Sequence, residues 1–93
     1  SHRFWVSKLL KNKDNLGSEL LEITISPNGE RILKTEKFKI IYLGRDPSLL
    51  EDQIIVMRKL TKSLPASLKK QPDIVLDLRD PRKPELQIPG FSS

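Results

Sequence analysis

The chain has 93 residues, 37% of them hydrophobic, with a formal net charge of +5 at pH 7. This is one small domain near the lower end of what buries a self-sufficient core, and with one Trp, one Tyr and three Phe that core must be mostly Leu and Ile. The absence of cysteine excludes a disulfide framework and a Cys-based zinc site, and apolar runs such as Ile54 to Met57 reach only four residues, too short to span a bilayer.

The opening Ser1-His2 reads as the remnant of a cleaved tag, so the single histidine carries no weight, and no signal peptide is visible. Trp5, Val6, Leu9 and Leu10 then fall at helical spacing, which predicts a helix from Phe4 to about Asn12. Asn12 to Asn15 and Gly17-Ser18 end it in a loop. Leu21-Glu22-Ile23-Thr24-Ile25 alternates strictly and places Leu21, Ile23 and Ile25 on one face of a first strand. Ser26-Pro27-Asn28-Gly29 is a turn, with Pro27 pre-set for its second position and Gly29 free to take positive φ; Arg31 to Thr35 returns as the second strand of a hairpin. Glu36-Lys37 makes a second tight connection. Beyond it Phe38, Ile40 and Tyr42 occupy one face, Ile41 and Leu43 the other, so the third strand is expected to be central.

Gly44 to Ser48 is a turn that opens a helix. Either Asp46 caps it with Pro47 at the first helical position, or Ser48 caps it with Glu51 closing a capping box. Leu50, Ile54, Met57, Leu60 and Leu64 trace one face until Pro65 stops the pattern. The stretch Ser67 to Asp73 is polar and contains Pro72. Ile74, Leu76 and Leu78 then form one face of a fourth strand, opposite Val75, Asp77 and Arg79. After the turn Asp80 to Pro84, Glu85-Leu86-Gln87-Ile88 is a short strand closed by Pro89-Gly90. The order α-β-β-β-α-β-β predicts an α+β fold in a single domain, residues 1–93: a mainly antiparallel sheet of about five strands with one long helix packed on it and a short N-terminal helix. Proline cannot donate to a ladder, so a strand between Pro84 and Pro89 belongs at a sheet edge. There the prolines either blunt the edge or confine it to the window Glu85 to Ile88, open to strand addition.

Nothing in the residues indicates catalysis. A nucleophile needs a base within hydrogen-bond reach, and with no cysteine and one terminal histidine the usual pairings are missing. The acidic residues read as caps and surface ion pairs, with Asp77 and Asp80 within reach of Arg79 or Arg82. They are too scattered for a metal site, and no cofactor is expected. Gly44 makes a poor phosphate cradle because Pro47 removes a donor. No convergent polar constellation suggests a small-molecule substrate. The basic residues lack interleaved aromatics and any nucleic-acid-binding motif, which argues against sequence-specific binding. A net positive charge leaves open a small basic domain that binds nucleic acid or a membrane surface nonspecifically.

The runs "IYLGRDPSLLEDQIIVMRKLTKSLP" and "DIVLDLRDPRKPELQIP" together resemble the extracytoplasmic β-domain of the bacterial cell-division protein family FtsQ, also called DivIB. Shared features are a strand ending in Leu-Gly, a helix with an apolar stripe, and a strand ending in Asp-Leu-Arg. "ISPNGERILKTEKFKIIYLG" is similar to the strands ahead of that helix. The resemblance implies a non-enzymatic interaction module of the divisome that recruits FtsB and FtsL for septum formation. It also implies a parent protein anchored in the inner membrane, with this domain in the periplasm or extracytoplasmic space. In the family a strand of FtsB adds to the edge formed by the last strand, and the arginine of Asp-Leu-Arg meets an acidic residue of the partner. That role carries over to Arg79. The site expected here is Arg79, Arg82 and Lys83 as a positive corner beside the edge residues Glu85, Leu86, Gln87 and Ile88. Where some members have an aromatic after the arginine, this chain has Asp80, and Pro81-Arg82-Lys83 replaces a glycine turn.

Overall fold

The computed structural model describes residues 2–69 and 73–88. Its elements are α1 (Arg3–Lys11), β1 (Leu20–Ile25), β2 (Arg31–Thr35), β3 (Ile40–Gly44), α2 (Leu50–Ser63), α3 (Ala66–Lys69), β4 (Val75–Asp77) and β5 (Glu85–Gln87), with 3-10 turns at Lys13–Asn15 and Pro47–Leu49. The five strands form one sheet in sequential order, β1-β2-β3-β4-β5, so β3 is the middle strand and β1 and β5 are its margins. Fold class is α+β, as the alternation of elements predicts.

The first hairpin turns on Ser26–Gly29: Gly29 N–H donates to Ser26 O at 2.9 Å, Ser26 N–H donates to Glu30 O at 2.9 Å, and Gly29 adopts φ +86°. The second turn closes tightly, with Thr35 N–H donating to Phe38 O at 3.0 Å and Phe38 N–H to Thr35 Oγ1 at 3.1 Å. β1–β2, β2–β3 and β4–β5 are antiparallel, whereas β3–β4 is parallel. The sheet is therefore mixed, so the expected mainly antiparallel character is matched only in part: three pairs are antiparallel and the central β3–β4 pair is not. The cause is α2. It carries the chain from the end of β3 back across the sheet, so β4 starts where β3 started and must run the same way.

Both long helices lie on one face. Trp5 and Leu9 of α1, and Leu50, Ile54 and Met57 of α2, join Leu33, Ile41, Leu43, Ile74, Leu76 and Leu78 of the sheet in a single core. Lys8 ties the helices together through Glu51 at 2.7 Å. The opposite sheet face, with half-buried Ile32, Ile40, Tyr42 and Val75, has no described element across it. Asp46, not Ser48, caps the entry to α2: its Oδ1 accepts from Ser48 N–H at 2.9 Å and from Ser48 Oγ at 2.6 Å, with Pro47 following.

Several side chains sit where periodicity alone does not place them. Leu21 is 53% exposed, because the ladder shifts register between Leu20 and Glu22; the extra residue of this bulge turns Leu21 outward and leaves Leu20 beside the core. Phe38 is buried with Ile41 and Leu43 and not aligned with Ile40 and Tyr42, since it belongs to the turn and the strand begins two residues later. Leu10 lies on the outer side of α1, half exposed. Ser67 to Lys69, the start of the polar stretch, forms part of the single-turn helix α3. Pro72, and the closing Pro89-Gly90, fall outside the described residues.

Candidate functional site

β4 and β5 owe their arrangement to the turn between them. Asp80 organises it, accepting from Arg82 N–H at Oδ1 (3.0 Å) and from Lys83 N–H at its carbonyl (3.0 Å), while Pro81 is buried beneath. Pro84 leads into β5, whose three residues pair with β4 as Asp77↔Glu85, Leu76↔Leu86 and Val75↔Gln87. No described strand lies beyond β5. Glu85, Leu86 and Gln87 are all exposed, and Ile88 follows the strand half-buried. Alternation puts Glu85 and Gln87 on the open face with Val75 and Asp77. Leu86 sits on the core face beside Leu76, at the rim of the helical layer.

Arg79 stands just past β4, on the open face. Its backbone N–H and its guanidinium both reach Asp77: N to Oδ1 3.0 Å, Nε to Oδ1 3.1 Å, Nε to Oδ2 3.2 Å and Nη2 to Oδ2 2.7 Å. The guanidinium carbon lies 5.3 Å from the centre of the Tyr42 ring, a cation–π contact. Beneath its stem is Gly44, at φ +75°, where an added Cβ would stand 3.1 Å from Arg79 Cγ. The hydrogen bond from Arg79 holds the Asp77 carboxyl below its ordinary range, and Asp77 in turn raises the Arg79 guanidinium.

The structure thus brings Arg79, Lys83 and Glu85 around one shallow depression, together with Asp77 and Asp80. Arg82 points away into solvent, with Nε 3.6 Å from Asp80 Oδ1. The expected positive corner is in fact balanced. Asp77, Asp80 and Glu85 interleave with Arg79, Arg82 and Lys83, and two of the three cations pair with carboxylates two residues away in the chain. The reason is local: the Asp-x-Arg spacing recurs at 77–79 and 80–82, and each aspartate folds back onto the following turn. The pairs open to Asp77 and Asp80 with Arg79 and Arg82 do form, and they offset the charge expected of the corner.

Tyr42 and Gly44 were not among the expected site residues. They join Arg79 only through the parallel register Tyr42↔Asp77, which sets the end of β3 beside the end of β4. The glycine before the helix was the available signal, and its role is to make room for the arginine stem.

No protein-family model, no curated protein and no solved structure matches this chain. Among the described residues there is no group of three or more metal-ligating side chains, and no helix is long and apolar enough to cross a membrane. What the fold and the site define is an α+β domain whose margin strand β5 has no second partner among the described residues and stands next to a held arginine.

Proposed function

We propose that the domain is a non-enzymatic protein–protein interaction module that binds its partner by strand addition to β5. On the sequence resemblance, the partner is an FtsB/FtsL-like divisome pair, and the parent is an FtsQ-like protein of the inner membrane with this domain in the periplasm. One observation carries the reading: among the described residues β5 pairs with β4 on one side only, and its three residues are exposed. An unpaired ladder edge supplies main-chain donors and acceptors, and alternate side chains supply selectivity. Leu86 offers an apolar contact on the core side, while Glu85 and Arg79 offer polar contacts on the open side.

The test uses a synthetic peptide of the strand-forming segment of an FtsB-family protein, N-methylated at single positions. Strand addition requires an alternating result. Methylation of amides that face β5 should reduce binding at least about tenfold, and methylation at the intervening positions should have little effect. Loss at every position, or at none, would overturn the reading.

A second reading, a basic surface for membrane or nucleic acid, has one observation in its favour. Lys11 and Lys13 lie exposed at the C-terminal end of α1, and Phe4 in its first turn is 88% exposed. Binding to anionic vesicles or to duplex DNA that falls steeply with salt would support it over strand addition.

A further inference from the structure

A guanidinium can be approached along two edges, its Nε–Nη2 side and its outer Nη1–Nη2 end. In Arg79 the first is filled by Asp77. Nη1 makes no hydrogen bond to a described residue, and the side chain is 56% exposed. The ring of Tyr42 covers one guanidinium face, and Gly44 lies under the stem, where an added Cβ would be a tight 3.1 Å from Arg79 Cγ. An arginine on a free surface samples many rotamers, and ordering it costs binding free energy. Here three neighbours have already ordered it.

We infer that Asp77, Tyr42 and Gly44 are positioning residues that hold the outer Nη1–Nη2 edge of Arg79 toward solvent to take a second carboxylate, supplied by the strand that adds to β5. The inference rests on the strand-addition reading. One Nη1 hydrogen and the remaining Nη2 hydrogen run parallel along this edge and suit a forked carboxylate contact. Lysine could not serve, because a single ammonium cannot keep Asp77 and present a planar edge outward at once. The position of Asp77 makes the idea decidable by sign. If Asp77 acted only as a nearby charge, its removal would tighten binding of an acidic peptide. If it positions Arg79, its removal weakens binding.

The experiment is fluorescence anisotropy with the labelled FtsB-family peptide, on the wild type and on Arg79→Ala, Arg79→Lys, Asp77→Asn and Tyr42→Leu, each checked for folding by circular dichroism. Arg79→Ala should weaken binding about tenfold or more. Asp77→Asn and Tyr42→Leu should each weaken it roughly three- to tenfold, and neither should weaken it further in an Arg79→Ala background. Arg79→Lys should not restore affinity. By NMR without peptide, the Arg79 Nε–H signal should be sharp in the wild type and exchange-broadened in Asp77→Asn. If Arg79→Ala binds as the wild type does, the reading that Arg79 contacts the partner fails and the inference with it. If Arg79→Ala weakens binding but Asp77→Asn tightens it or leaves it unchanged, strand addition stands and the positioning role is overturned.

Discussion

Arg31 is 6% exposed, yet among the described residues it has no carboxylate within ion-pair distance. Its Nη1 donates to Arg45 O at 2.9 Å, Nη2 lies 3.4 Å from His2 Nδ1, Nε has no hydrogen-bond partner, and the guanidinium stacks 5.0 Å from the centre of Trp5. Burying a cation on such terms is costly, and apolar replacements of buried ionic groups are often neutral or stabilising. Arg31→Met should therefore leave the stability unchanged or raise it by about 1 kcal/mol, as measured by urea denaturation. A loss above about 2 kcal/mol would mean that the Trp5 stack and the Arg45 carbonyl outweigh desolvation. The alternation in Arg31 to Thr35 points the arginine inward with Leu33, but composition gives no reason to bury it. Its environment depends on Trp5, far away in the chain, and was not legible. The same holds for Tyr42 and Arg79, whose contact follows from a register that only the assembled sheet contains.

Elements are where the sequence was most readable. The stripe Leu50, Ile54, Met57, Leu64 is buried, with Leu60 half-buried, because a helical period is a local property of one segment. Both hairpins were marked by their turn residues for the same reason. Orientation across α2 was not marked, since any strand after a crossover must be placed by packing. One polar residue inside that stripe secures the placement. Gln53 is buried, and its Nε2 donates to Leu43 O at 2.8 Å and to Leu78 O at 2.9 Å, linking α2 to β3 and to the segment after β4. Gln53→Leu preserves volume but leaves two buried carbonyls without donors. It should cost about 1–3 kcal/mol in a denaturation experiment, whereas Ile55→Gln on the exposed side of the same helix should change stability by less than about 0.5 kcal/mol. Equal effects would show that the bridge between the strands contributes nothing.

At the scale of the molecule, stability should fall on the acid side. Asp46 is held below its ordinary range chiefly by the Ser48 hydroxyl and backbone N–H, Glu51 by its hydrogen bond to Lys8, and Asp77 by its hydrogen bond to Arg79. A carboxylate depressed in the folded state stabilises the fold above its unfolded pKa and loses that contribution as the pH drops through the folded value. The midpoint of thermal unfolding should thus be flat from pH 7 to about 5 and decline below about pH 4. The decline should be smaller in Asp77→Asn, and an identical profile in that variant would remove Asp77 from the account.

The sheet's two margins are unlike, and this bears on what the protein can build. β5 offers three residues in register, whereas β1 is broken by the bulge at Leu20–Glu22. A copy of β5 laid along β1 would meet a kinked, twisted template, so head-to-tail stacking of many copies into a fibre has no continuous seam to follow. If β5 takes up a partner strand as proposed, assembly ends after one guest, because the bulged far margin gives a second copy no matching seam.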